Sequence, residues 1–313
     1  MSVILAAHGA GDGSEANRKL LELADALRAR RPGVDFGCAF WRGTPSFRDA
    51  ARNLRGQGPL VVPIMASSGY YARRRLPEEL AKGDPSHSFV IAPPIGTHKA
   101  FPRVLATKVV QAVTDMTRRG LNPAVLLVGH GTTRVRSSGD AARWVRDELA
   151  LAFPHTEILA AFLDESPRLV DVAASLGDRP VVAVPLLLGG GPHVLVDLAR
   201  ALTAARTSSE LGRGTETLRV LPPILEWPEL PSLTLEAMDS FTGHPESLGA
   251  SLRARRARVG PLGRRTSVLD SVPQPHSGWK PEGRVRSPVP IPLRAGVFGE
   301  GDRKGGRVTL LVP

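Results

Sequence analysis

Short apolar runs alternate along this chain with longer stretches in which apolar residues recur every three to four positions. Val3–Ala7 is such a run and predicts a buried strand. Ser14–Arg31 then places Leu20, Leu23, Ala24 and Leu27 on one face at the 3.6-residue period, which predicts a helix. Val34–Phe40 predicts the second strand, and Ser46 is positioned to cap a helix running through Leu54. Leu60–Met65 predicts the third strand, Tyr71–Ala81 a helix, Phe89–Ala92 the fourth strand and Phe101–Arg118 a closing helix. The same order then returns in Ala124–Gly129, Ser138–Ala152, Glu157–Phe162, Arg168–Leu176, Val181–Leu188, Val194–Ala205, Thr217–Leu221 and Leu230–Phe241. Strands that alternate with helices predict an α/β fold, each parallel sheet covered on both faces and joined by right-handed crossovers.

The recurrence extends to single residues. Ala6-Ala7-His8-Gly9 returns as Val128-Gly129-His130-Gly131, an offset of 122. The same offset carries Pro32 onto Pro154, Ala39-Phe40 onto Ala161-Phe162, Pro45 onto Pro167, Val62-Pro63 onto Val184-Pro185, Gly69 onto Gly191 and Leu76 onto Leu198. Pro93-Pro94-Ile95 matches Pro222-Pro223-Ile224 at offset 129, so the second copy carries about seven extra residues around Thr207–Thr215. Each copy is close to the size of a small domain. The expected organisation is therefore two tandem pseudo-symmetric, flavodoxin-like domains, 1–120 and 121–242, each with a four-stranded parallel sheet. From Gly243 to Pro313 the pattern fails: Arg, Pro, Gly and Ser dominate without a sustained period, and a disordered basic tail is expected.

Composition narrows the function classes. The formal net charge of +11 is concentrated in the tail, which holds 13 Lys/Arg against 5 Asp/Glu. Residues 1–242 hold 28 against 25, so the folded part is nearly balanced and a nucleic-acid role would rest on the tail alone. Cys38 is the single cysteine, which excludes an internal disulfide framework and a cysteine-ligated iron–sulfur cluster within one chain. No apolar run reaches the roughly 20 residues that span a bilayer, and Met1-Ser2-Val3 enters a strand with no charged leader. A cytoplasmic protein without a membrane partner is expected.

Open parallel sheets bind ligands beyond the carboxyl ends of their strands. In the second copy His130 follows the first strand, Asp164 the second and His193 the third. Two imidazoles and a carboxylate from neighbouring strand ends suit a borderline divalent ion such as Co²⁺, Fe²⁺, Ni²⁺ or Zn²⁺, with positions left open. Asp164, ahead of Glu165-Ser166-Pro167, could instead cap the following helix. The first copy breaks the set: His8 matches His130, but Arg42 stands at the position of Asp164 and Tyr71 at that of His193. Tyr70 and Tyr71 are the only tyrosines. The run Arg73-Arg74-Arg75 on the same loop is either a solvated face or an anion-binding rim.

These motifs resemble the sirohydrochlorin chelatases of the CbiX/SirB type, relatives of the class II chelatases that include protoporphyrin ferrochelatase. The residues carrying the resemblance are His130-Gly131-Thr132, Phe162-Leu163-Asp164-Glu165-Ser166-Pro167, Val184-Pro185-Leu186-Leu187-Leu188, Gly191-Pro192-His193 and Asp197-Leu198. The family's long form looks like a fusion of two short copies, matching the offset above. Asp164 stands where glutamate is usual.

The resemblance implies two chelatase-like repeats and insertion of Co²⁺ or Fe²⁺ into sirohydrochlorin, on the way to cobalamin or sirohaem. The metal would enter as substrate, with no tightly bound cofactor. His130 and His193 would ligate the metal and accept the pyrrole protons, and Asp164 would orient a histidine or take a proton. The substrate carries many carboxylates, so His8, Arg42, Tyr70, Tyr71, Arg73, Arg74, Arg75, Arg134 and Arg136 become candidate clamps, with Ser137 and Ser138 at a helix start. A single chain supplies both lips of a cleft, so a monomer would suffice. Two alternatives stand beside this reading. A histidine phosphatase would want an arginine before the histidine, where Ala7 and Gly129 stand instead. A two-lobed carrier would bind metal or tetrapyrrole without catalysis.

Overall fold

The computed structural model describes residues 1–53, 59–85, 89–132, 139–187, 192–206 and 217–242. The first repeat runs β1 (Ser2–Ala7), α1 (Glu15–Arg30), β2 (Asp35–Phe40), α2 (Phe47–Asn53), β3 (Leu60–Pro63), α3 (Leu76–Gly83), β4 (Val90–Ile91) and α4 (Phe101–Arg118). The second runs β5 (Ala124–Gly129), α5 (Asp140–Ala152), β6 (Ile158–Phe162), α6 (Leu169–Leu176), β7 (Val181–Pro185), α7 (Pro192–Arg206), β8 (Leu218–Val220) and α8 (Leu230–Thr242). The tail from Gly243, the insertion around Thr207–Thr215, and Arg134, Arg136, Ser137 and Ser138 lie outside the described residues.

Each repeat builds one parallel four-stranded sheet, ordered β2-β1-β3-β4 and β6-β5-β7-β8. The registers correspond: Ala6 pairs with Ala39 and Pro63, as Val128 pairs with Ala161 and Pro185. Local chemistry sets the helix starts. The Ser14 hydroxyl accepts from the Asn17 N–H at 3.3 Å. Ser46 Oγ accepts from the Asp49 N–H at 3.2 Å while Asp49 Oδ2 accepts from the Ser46 N–H at 3.3 Å, a reciprocal cap ahead of α2. The third strands are shorter than the hydrophobic pattern predicts. Ile64 and Leu186 still donate to Ala6 and Val128 at 2.8 Å, and the chain then leaves the sheet. Tyr71–Ala81 is likewise not one helix. Tyr71–Arg75 forms a π-helical turn, closed by the Leu76 N–H on the Tyr71 carbonyl, and α3 continues from it.

Strand alternation divides the apolar residues between two faces. Ile4, Ala6 and Val61 meet α2 and α3 on the outer face of the first sheet. Leu126, Val128, Val181 and Ala183 form the corresponding outer layer with α6 and α7. The inner faces, with Val3, Leu5, Val125 and Leu127, belong to one continuous core spanning both repeats.

The closing helices are exchanged. α4 follows β4 of the first sheet but packs against α5 and β7 of the second repeat. α8 follows β8 of the second sheet but packs against α1 of the first. Phe101 of α4 stacks on Trp227, ahead of α8, with ring centroids 5.4 Å apart, worth about 1 kcal/mol beyond the buried area. Around that stack, Lys108 pairs with Glu229 (2.6 Å), Arg103 with Glu236 (2.8 Å) and Arg219 with Asp115 (2.8 Å), while Arg31 donates to Asp239 (2.9 Å). The proposed division at residue 120 thus separates two sequence repeats that share a core. Among the described residues, no helix is long and apolar enough to cross a membrane.

Candidate functional site at the carboxyl rim

The two rims are built on one backbone plan. The carbonyl of His8 accepts the Arg42 N–H at 2.8 Å, and that of His130 accepts the Asp164 N–H at 2.9 Å. Each histidine thus sits against the loop leaving the neighbouring strand, and residues 42 and 164 are structural equivalents. Gly9 and Gly131 follow the histidines with φ of 69° and 68°, a conformation that disfavours side chains. A Cβ at Gly131 would stand 2.6 Å from Glu165 Cβ, and one at Gly9 2.2 Å from the Arg42 carbonyl oxygen. The His-Gly pair lets the chain turn tightly and aim the imidazole off the end of the central strand.

In the second repeat, His130 Nδ1 lies 3.3 Å from Asp164 Oδ2 and 3.3 Å from the Gly131 carbonyl oxygen. Both partners are acceptors, so the ring proton sits on Nδ1 and the lone pair on Nε2. His130 and Asp164 are 68% and 61% exposed, so the pair is open to a ligand. Asp164 does not cap α6: the N-cap is Arg168, which makes no side-chain cap bond. His193 falls in the first turn of α7, beyond β7, which adjoins β5 in the sheet; its side chain lies outside the described set. Among the described residues no three His, Cys, Asp or Glu side chains group closely enough to hold a metal.

The first repeat carries different chemistry on the same frame. His8 Nδ1 donates to the Gly9 carbonyl at 2.9 Å, again leaving Nε2 as the basic nitrogen. Burial holds the His8 imidazole below the usual histidine range; the Gly9 bond opposes this, and the charges of Arg42 and His130 add to it. Tyr71, at the position of His193, sets its ring edge-on to His8 with centroids 4.4 Å apart. Tyr70 is adjacent, and Arg42 and Arg73 are exposed, Arg73 donating to Ser68 Oγ at 3.2 Å.

Three supporting residues escape the sequence reading. Glu165, 15% exposed, accepts from the Thr132 N–H at 3.3 Å and pairs with Arg143, whose guanidinium lies 4.8 Å from the Phe162 ring centroid. In the first repeat buried Asn17 does the equivalent work, accepting from the Ala10 N–H at 3.0 Å and donating to the Arg42 carbonyl at 3.1 Å. Trp41 lies beside Tyr71. An open cavity of about 310 Å³ behind Trp41 is lined by Arg48, Asp49, Arg52 and Glu79. Its charges pair with one another, Arg48 with Glu79 (2.9 Å) and Arg52 with Asp49 (3.7 Å), and neither histidine lines it.

A family model described as CbiX matches residues 2–112 and again residues 124–239, one match on each repeat. The chain belongs to the CbiX family. A relative from Halobacterium salinarum, named a probable sirohydrochlorin cobaltochelatase, is 26% identical over 219 residues, covering 63% of this chain and 75% of the relative. The fold is shared with CbiX described as the terminal enzyme of siroheme biosynthesis in denitrifying bacteria: TM-score 0.61, 24% identity, covering 77% of this chain and 99% of that one. It is shared also with SirB from Bacillus subtilis with Fe³⁺, with TM-score 0.59 and 17% identity over 82% of this chain and 97% of that one. The sirohydrochlorin chelatase SirB from Bacillus subtilis subspecies spizizenii in complex with cobalt gives TM-score 0.55 at 17% identity, covering 75% and 92%. Membership of the CbiX family thus follows for both repeats, and the chelatase-like α/β architecture with it.

Proposed function

We propose that this CbiX-family chain inserts a divalent metal ion, Co²⁺ or Fe²⁺, into sirohydrochlorin, for cobalamin or sirohaem synthesis, with the chemistry in the second repeat. The observation that carries the reading is His130, whose Nδ1 is held by Asp164 and the Gly131 carbonyl so that Nε2 is left as ligand and base. The name of the Halobacterium relative supports the same activity.

Insertion requires two pyrrole N–H groups to lose their protons as the metal reaches the ring face. A neutral imidazole can ligate the incoming ion through Nε2 or accept a pyrrole proton there. Asp164 fixes the ring's tautomer and stabilises the imidazolium that forms on proton transfer. His193, at the neighbouring strand end, supplies the second imidazole. On the first repeat Arg42, Arg73, Tyr70, Tyr71 and His8 hold the macrocycle, and Arg134, Ser137 and Ser138, outside the described residues, remain candidates for further carboxylates. The metal and the tetrapyrrole are both substrates, and no resident cofactor enters the scheme.

The test is an absorbance assay of the purified protein with sirohydrochlorin and, separately, Co²⁺, Fe²⁺ and Ni²⁺. Accelerated insertion that disappears in His130→Ala and His193→Ala supports the reading. Tight tetrapyrrole binding without faster insertion would replace it with a carrier role.

A further inference from the structure

The rim of the first repeat has lost the features of a metal site and gained those of a surface for a flat anion. Arg42 repels a cation where Asp164 would attract one, and Tyr71 replaces an imidazole. Tyr71 sits at the centre of an aromatic group, edge-on to His8 (4.4 Å, 83°) and to Tyr70 (5.7 Å, 79°), and tilted against Trp41 (5.8 Å, 55°). The Arg75 guanidinium lies between two of these rings, 5.1 Å from the Trp41 centroid and 5.5 Å from that of Tyr70. All of it except His8 and Trp41 stands on or next to the π-helical turn Tyr71–Arg75, which opens the backbone wider than an α-helix and recurs at functional sites. Among the described residues no carboxylate pairs with Arg42, Arg73 or Arg75, whereas neighbouring Arg74 is neutralised by Glu78 at 2.9 Å.

Aromatic faces beside unneutralised guanidinium groups recognise planar molecules that carry carboxylates. Resting on the chelatase reading above, we propose that Trp41 and Arg75 make the first repeat a metal-independent holding surface for the macrocycle. Trp41 packs against the ring system and, through the guanidinium stacked on it, keeps Arg75 aimed at a ring carboxylate. The second repeat then handles metal and protons, and the first supplies a binding surface for the tetrapyrrole whether or not metal is present. Trp41 and Arg75 determine affinity for substrate and take no part in metal transfer.

The experiment measures sirohydrochlorin binding in EDTA, by the tetrapyrrole's own absorbance and emission and by quenching of tryptophan fluorescence, together with metal insertion. Arg75→Gln and Trp41→Leu should each weaken metal-free binding about tenfold and raise KM to match, with kcat little changed. Arg75→Lys should recover part of the loss, and sirohydrochlorin with its carboxylates methylated should bind no better to wild type than to Arg75→Gln. His130→Ala should bind sirohydrochlorin normally in EDTA yet fail to insert metal. Trp41 borders the outer core of the first sheet, so its variant is accompanied by a melting curve, and Arg75→Gln carries the test if Trp41→Leu unfolds. Wild-type affinity in EDTA with an unchanged KM in Arg75→Gln would overturn the proposal even if insertion is fast. Loss of metal-free binding in Arg75→Gln, in a wild type that never inserts metal, would keep the holding surface and remove the chelatase.

Discussion

The His130 carbonyl accepts the Asp164 N–H at 2.9 Å, as the His8 carbonyl accepts that of Arg42 at 2.8 Å. The two imidazoles occupy equivalent places in the two repeats, and the charge His130 would carry is one of the influences that depress the His8 pKa, behind burial and Arg42. Their surroundings make them unequal, however. His130 Nδ1 has a carboxylate oxygen at 3.3 Å, whereas His8 has the edge-on ring of Tyr71. His130→Ala should therefore lower the rate of metal insertion 10²- to 10⁴-fold, the usual contribution of a positioned acid–base group. His8→Ala should cost about tenfold or less, within the range of one binding contact. Steady-state insertion assays on both variants, with circular dichroism to confirm folding, check the asymmetry.

Gly131→Ala should disable the rim without touching a reacting group. Its positive φ and the 2.6 Å approach of a Cβ to Glu165 force the His130 loop to move. A loss of about 1–3 kcal/mol in unfolding free energy is expected, with insertion reduced alongside it. Glu165→Gln is the gentler probe, because it keeps an acceptor for the Thr132 N–H while losing the ion pair with Arg143. Urea melts and insertion rates for the two variants should rank Gly131→Ala as the more damaging.

Stability should fall on mild acidification through His98. Burial lowers its pKa; Glu236 opposes the shift, and Lys99 and Arg103 reinforce it. Its Nδ1 accepts the Ala100 N–H at 3.3 Å and its Nε2 lies 3.4 Å from Ser240 Oγ on α8, so the folded state holds the neutral ring. In the unfolded chain the ring titrates near 6.5. Below that pH the unfolded state takes up the proton first, so stability present above pH 6.5 is lost as pH falls through the depressed folded value. His98→Asn should flatten part of this slope in urea melts from pH 8 to 5, with His8, shifted in the same direction, supplying a remainder.

Neither repeat should fold alone. A fragment of residues 1–120 would carry Leu105, Val109, Ala112 and Met116 of α4 without the second repeat they share a core with, and would lack α8 against α1. Heteronuclear NMR of 1–120 and of 121–242 should show poorly dispersed spectra singly and native dispersion on mixing. Phe101→Ala in the full chain removes the stack on Trp227 and should cost about 3–5 kcal/mol.

Much of the architecture was legible because it was written twice. The offset between His8 and His130 aligned the strands, and short apolar runs between amphipathic stretches gave both parallel sheets and the carboxyl rim on which the candidate residues stand. Three things were not legible. An amphipathic period shows that α4 has a buried face, but the pattern of Leu105, Val109 and Ala112 is the same whichever sheet lies beneath it, so the exchange of closing helices left no local mark. The supporting side chains were hidden for a related reason. Asp164 and Glu165 are adjacent acids, and only the backbone turn decides that the first meets His130 while the second turns inward to Thr132 and Arg143. Asn17 and Trp41 act through partners that are distant or unremarkable in the sequence, and the π-helical turn has no distinguishing periodicity over five residues.

The crossed helices bear on how such a chain can arise by duplication. A lone ancestral unit ending after its fourth helix would leave part of one sheet face bare and carry a helix with nowhere at home to rest. Two such units would cure both defects by trading helices, assembling as an interlocked pair. Joining them end to end through Arg119-Gly120-Leu121-Asn122-Pro123 then alters only the connectivity, which frees the halves to diverge, as Arg42 opposite Asp164 and Tyr71 opposite His193 illustrate.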